Sequence, residues 1–134
     1  MKEKNMKLDS IMTGVQHIGI PTADMTATEK FYLSLGFEKV FETLLGGTQK
    51  VCFFSKNNVC FECYESDAAA MKYGAVDHVS LNVTDVEETY RQVLEGGYKV
   101  VSSGIEQLPF FANGVRFFTI EGPNKEKIEF NQYL

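Results

Sequence analysis

No apolar run in the sequence approaches the roughly 18 residues that a membrane-spanning helix requires. Its opening, MKEKNMKLDS, also lacks the apolar stretch of a secretory signal. A soluble cytoplasmic protein without a membrane partner is the expectation. Basic residues are in the minority: 13 Lys and Arg, scattered rather than clustered, face 18 Asp and Glu, for a net charge of -5. That leaves no electrostatic footprint for a phosphate backbone, and no nucleic-acid partner is expected. Cysteine is scarce, and three is an odd number without scaffold spacing, which suits reduced thiols better than a disulfide framework. Cys60 and Cys63 form a CxxC string, but it lies in the run VCFECY. Strand alternation sends positions three apart to opposite faces, so no joint metal or redox site is expected there. Histidine is scarcer still, with only His17 and His78, and the arginines are Arg91 and Arg116 alone.

What is present is an ordinary globular composition, 44% hydrophobic and 23% charged, over 134 residues, enough for one compact domain. It is organised by an internal repeat. The segment GVQHIGIPTADMTATEKFYLSLGFEKV matches AVDHVSLNVTDVEETYRQVLEGGYKVV without gaps at an offset of 78 - 17 = 61. His17 pairs with His78, Asp24 with Asp85, Gly36 with Gly97, and Val40 with Val101.

Each copy reads as an alternating strand, a capped amphipathic helix, a glycine at the helix end and further strands, which is βαβββ twice. In the second copy Thr84 and Glu87 form a capping-box pair, and Val86, Tyr90, Val93 and Leu94 recur at helical spacing before Gly96 and Gly97. The first has Thr26 and Glu29 in that relation, or Asp24 as cap, with Phe31, Tyr32 and Leu35 before Gly36. Strands are expected at FEKVFETLL, QKVCFFSK and VCFECYE, then at YKVVSSGIEQL, VRFFTI and KIEFNQ, with turns at GGT, KNN and EGPNKEK. Residues 1–13 read as a tail, and 14–134 as one domain made of a module 14–66, a connector 67–74 with one helical turn, and a module 75–134.

Strand parity then isolates four ionisable residues. Ile18 and Ile20 share one side of the first strand while Val15, His17 and Gly19 share the other. Val79, Leu81 and Val83 likewise oppose His78, Ser80 and Asn82, and Glu62 and Glu129 oppose their apolar neighbours. The apolar faces are expected under the helices. The other faces meet either solvent or a cleft. Taken singly, each residue is an ordinary surface polar group. Taken together they form a pattern, because both histidines hold equivalent repeat positions and each is followed by a strand glutamate. Two imidazoles and two carboxylates suit zinc, nickel, cobalt, manganese or ferrous iron rather than calcium.

The segments HIGIPTADMTATEKFYLSLGFEKV, VCFECYE, VDHVSLNVTDVEETYRQVLEGGYKV and EGPNKEKIEFNQ resemble the repeated motifs of the vicinal oxygen chelate (glyoxalase) superfamily. The resemblance covers about residues 14 to 132. It implies an α+β fold whose paired βαβββ modules curl eight strands into an open barrel around a metal cleft. It also implies one divalent metal per site, held by His17, Glu62, His78 and Glu129, the order found in bacterial glyoxalase I. The implied activity is that of a lyase or isomerase. The metal would bind two vicinal oxygens of a small-molecule substrate and stabilise the enediolate formed when Glu129 removes a proton, with Glu62 as partner carboxylate. A homodimer is implied as well. Pro21 and Ser66 stand where glyoxalase I carries groups that hold glutathione, which argues against that cosubstrate. The rival readings are a metal-free binding protein of the bleomycin-resistance type and a ring-cleaving dioxygenase.

Overall fold

Asp24 and Asp85, equivalent in the repeat, each open a helix in the computed structural model of the chain, which describes residues 7–121, 123, 125 and 127–134. The Asp24 carboxylate accepts from Ala27 N at 3.0 Å, and that of Asp85 accepts from Glu88 N at 3.0 Å. Each supplies an acceptor for an N–H that the first turn leaves unpaired, worth about 1 kcal/mol. Asp24 is therefore the cap of α2 (Met25–Ser34), and the Thr26 alternative is set aside. The expected Thr84 and Glu87 box is corrected: α3 (Val86–Glu95) begins one residue later, on Asp85. Both helices end alike. Gly36 and Gly97 take positive φ of 95° and 77°. Phe37 N then reaches Tyr32 O at 3.1 Å, and Tyr98 N reaches Val93 O at 3.2 Å. The matching inner bonds are Gly36 N to Leu33 O and Gly97 N to Leu94 O, the Schellman arrangement that only glycine adopts without strain.

The segment before Gly14 is structured where it is described. Leu8–Ile11 form a short helix, α1, and β1 (Met12–Thr22) begins at once. Residues 1–6 of the expected tail lie outside the described residues. The chain forms two compact units, residues 17–79 and residues 1–16 with 80–134, so the change of unit falls inside the first strand of each module rather than in the connector.

In the unit 17–79, β2 (Glu38–Leu45), β3 (Gln49–Lys56) and β4 (Val59–Glu65) run antiparallel in order, and β1 pairs parallel to β4. The apolar face behaves as strand parity requires: Cys52, Phe54 and Cys63 are buried with Met25 of α2, and Ile20, Tyr32, Phe37 and Phe61 pack against them. Tyr32 is the contact of α2, stacking on Phe54 at 5.5 Å between centroids, while Phe31 and Leu35 face outward. The connector carries no helical turn; Met71 and Gly74 take positive φ, with a turn at 67–68, a bend at 72–73 and irregular backbone between.

In the other unit β5 (His78–Val83, from Ser80) neighbours β9 (Lys127–Tyr133), and β9 pairs antiparallel to β8 (Val115–Glu121). The long strand expected at YKVVSSGIEQL is instead two short ones, β6 (Lys99–Val100) and β7 (Glu106–Leu108), both on β8. The described residues therefore hold nine strands rather than eight. Val86, Val93, Val83, Phe118, Ile120, Phe130 and Ile11 form this core. The turn expected at EGPNKEK includes positions 122, 124 and 126, which lie outside the described residues.

Candidate metal centre

The register of β1 against β4 sets Gly19 opposite Glu62, so His17, two residues earlier on β1, shares the face of Glu62. His78 opens β5, and its imidazole lies directly over Gly19: a Cβ there would fall 2.0 Å from His78 Cε1. The glycine thus lets the ring reach the same face. His17 Nε2, His78 Nε2 and Glu62 Oε1 lie 3.3 Å apart in all three pairs. Asp77 Oδ2 lies 2.9 Å from His78 Nδ1, a contact that orients the ring with Nε2 toward His17 and Glu62. Phe53 meets the His17 ring edge-on at 5.5 Å, and Tyr64 stacks on His78 at 6.3 Å. His17 is buried, and the side chains of His78 and Glu62 keep 11% and 13% of their surface, so all three are largely withdrawn from water.

Burial alone pushes the Glu62 carboxyl up, but hydrogen bonds from His17 and His78 outweigh it and hold its pKa at about 2. The carboxylate is ionised at neutral pH. This donor set fits a divalent metal on two counts. Nitrogen and carboxylate oxygen are ligands for zinc and its first-row neighbours. Ligand atoms at roughly 2.0 to 2.1 Å from a tetrahedral ion sit about 3.3 to 3.4 Å apart, which matches the observed triangle.

Glu129 lies in the other unit, on β9 and opposite Thr119 of β8. It is buried and its Oε2 accepts twice, from Ser80 Oγ at 3.0 Å and from Asn131 Nδ2 at 2.8 Å. Asn131 is held in turn: Gln16 Nε2 donates to its backbone oxygen at 3.1 Å and to Asn82 Oδ1 at 3.0 Å. Among the described residues the buried Asn131 side-chain oxygen has no hydrogen-bond partner, an arrangement that costs about 1 to 3 kcal/mol. Turning the amide over would set that oxygen against Glu129 Oε2, acceptor to acceptor.

Of the four residues singled out from the sequence, His17, Glu62 and His78 are brought together within one unit, and Glu129, in the other unit, is buried and accepts from Ser80 and Asn131. Four neighbours were missed. Asp77 adjoins His78 and Asn131 follows Glu129 by two residues, while Gly19 and Ser80 occupy equivalent repeat positions two after each histidine. Ser66 caps a turn, accepting from Ala68 N at 3.0 Å. Cys52, Cys60 and Cys63 are free thiols, and burial pushes Cys60 and Cys63 up to about 11 and 12.

Fold and donor set define a class: an α+β protein of paired βαβββ modules with a candidate His and Glu metal site. Residues 14–130 match the Glyoxalase/Bleomycin resistance protein/Dioxygenase superfamily, and the chain belongs to it. It is 29% identical over 126 residues to the uncharacterized protein YwbC of Bacillus subtilis (strain 168), covering 88% of this chain and 96% of that one. Among solved structures it is similar to methylmalonyl-CoA epimerase from Mycobacterium tuberculosis, with a TM-score of 0.76 at 19% identity over 98% of this chain and 95% of that one. It is also similar to the Mn(II)-bound glyoxalase from Novosphingobium aromaticivorans, with a TM-score of 0.63 at 20% identity over 91% of this chain and 39% of that one.

Proposed function

We propose that the chain is a divalent-metal-dependent lyase or isomerase that moves a proton on a carbon beside two vicinal oxygens of a small substrate. The observation that carries this reading is the equal 3.3 Å spacing of His17 Nε2, His78 Nε2 and Glu62 Oε1. His17, Glu62 and His78 hold the metal, with Glu129 as fourth ligand. The bound ion supplies Lewis-acid stabilisation of negative charge on the substrate oxygens. Asp77 fixes the His78 ring, and Phe53 and Tyr64 keep water from the imidazoles. Glu129 takes the proton from carbon and returns it. Glu62, tied to both imidazoles, is the ligand that stays in place.

The purified protein should contain about one equivalent of zinc, nickel, cobalt, manganese or iron per chain by elemental analysis. In deuterium oxide it should exchange the carbon-bound proton of a small α-hydroxy carbonyl compound. Glu129→Gln should abolish the exchange while retaining measurable, more weakly held metal. Protein that takes up no stoichiometric metal even after reconstitution sinks the reading in favour of a metal-free binding protein.

We further propose a homodimer in a reducing compartment such as the cytoplasm. Val15, Phe31, Leu44 and Tyr73 are large apolar side chains exposed on the chain, and the thiols are free. Light scattering should return twice the chain mass of 15.1 kDa. A monomer at micromolar concentration contradicts the dimer.

A further inference from the structure

The two glutamates hold corresponding places in their modules but differ in what surrounds them. Glu62 is contacted by two imidazoles within its unit, and the Oε2 of Glu129 accepts from two neutral side chains of its own, Ser80 and Asn131. The difference begins in the repeat, since 80 - 61 = 19: where the second module has Ser80, the first has Gly19, and a side chain at Gly19 would collide with His78. Only the second module can place a hydroxyl two residues after its histidine.

We propose that Ser80 and Asn131 are positioning residues that clamp Glu129 through Oε2 and so orient its carboxylate for metal ligation and proton transfer. The proposal rests on the reading of Glu129 as ligand and base. Two observations carry it beyond ordinary core polarity. Ser80, Glu129 and Asn131 are all more than nine-tenths buried, so the bonds are shielded from competing water. Asn131 also keeps its amide nitrogen on Glu129 while its side-chain oxygen has no partner among the described residues. A side chain selected for packing alone would be apolar at this position and leave no orphan. The cost is borne for the N–H that faces Glu129. Gln16 completes the support, because its amide spans Asn82 and the Asn131 backbone and pins β9 at the residue that holds Glu129.

The test uses the full chain stripped of metal and titrated with Zn2+ against a chromogenic chelator, with melting temperature measured on the metal-free form. Ser80→Ala and Asn131→Leu should each weaken Zn2+ binding by about 10- to 100-fold, the usual effect of losing a group that orients a ligand. Asn131→Leu should leave the metal-free melting temperature unchanged or higher, because it removes the orphan oxygen at similar volume. A merely structural role gives the opposite pair of results, a lower melting temperature with wild-type Zn2+ affinity, and overturns the proposal. Should Asn131→Leu fail to fold, Ser80→Ala carries the test alone, and wild-type affinity in that variant is equally decisive against it. Wild-type protein that binds no Zn2+ refutes the metal reading itself and this inference with it. Wild-type binding with unaffected variants refutes this inference only.

Discussion

Gly19 bears no side chain because the space a Cβ would occupy belongs to His78, whose Cε1, Nδ1 and Nε2 would lie 2.0, 2.4 and 2.5 Å from it. Three ring atoms at that range cannot be accommodated by a small tilt, because Asp77 holds the ring at Nδ1. Gly19→Ala should therefore displace the imidazole rather than unfold the chain. The stability cost should be that of an overpacked interior, about 1 to 3 kcal/mol. Zn2+ affinity should fall at least tenfold, measured by chelator competition beside a thermal melt. Retention of wild-type affinity would mean that the ring can leave Gly19 without leaving the donor triangle. The meeting of His17, Glu62 and His78 was legible in the sequence because the repeat pairs the two histidines and strand parity puts each, like Glu62, opposite its apolar neighbours. Gly19, Asp77, Ser80 and Asn131 were not, since what marks them is a distance between strands that no periodicity encodes.

At the level of elements, what could be read was what is local. The order of helices and strands and the Schellman glycines follow from hydrophobic period and turn chemistry. The N-cap of α3 was misplaced because Thr84 with Glu87 and Asp85 with Glu88 satisfy the same spacing in adjacent registers, and only the geometry shows Asp85 accepting from Glu88 N. The pairing of Asp24 with Asp85 in the repeat was the better signal, since a cap has to fall at equivalent positions. The run YKVVSSGIEQL misled for another reason. Its β-branched residues suit a strand, but the Ser102 hydroxyl donates to Gly104 O at 3.0 Å and accepts from Thr119 N at 3.0 Å. A side chain that satisfies backbone groups in this way substitutes for the ladder. With Gly104 at φ 75°, the strand parts into β6 and β7.

Over the whole molecule, charge bears on which substrates the proposed site accepts. A net charge of -5 repels anions in general, so an anionic cosubstrate such as glutathione needs dedicated cations. Both arginines are committed elsewhere: Arg91 to Glu88 and Glu95 along α3, and Arg116 to Glu87 at 2.8 Å. Pro21, at the position where a glutathione-holding group would stand, lines an apolar cavity of about 300 Å³ with Ile20, Ala27, Phe31 and Tyr32. Each absent charge-assisted contact forgoes about 1.5 to 3 kcal/mol, which is roughly tenfold or more in binding. The hemithioacetal of methylglyoxal and glutathione should therefore be a poor substrate, converted without saturation at low concentration, while a small neutral α-hydroxy carbonyl compound should undergo proton exchange. Steady-state kinetics with both compounds on metal-loaded protein decide the matter. Efficient, saturable conversion of the adduct at micromolar concentration would show that lysines or backbone amides supply the anchor that the arginines do not.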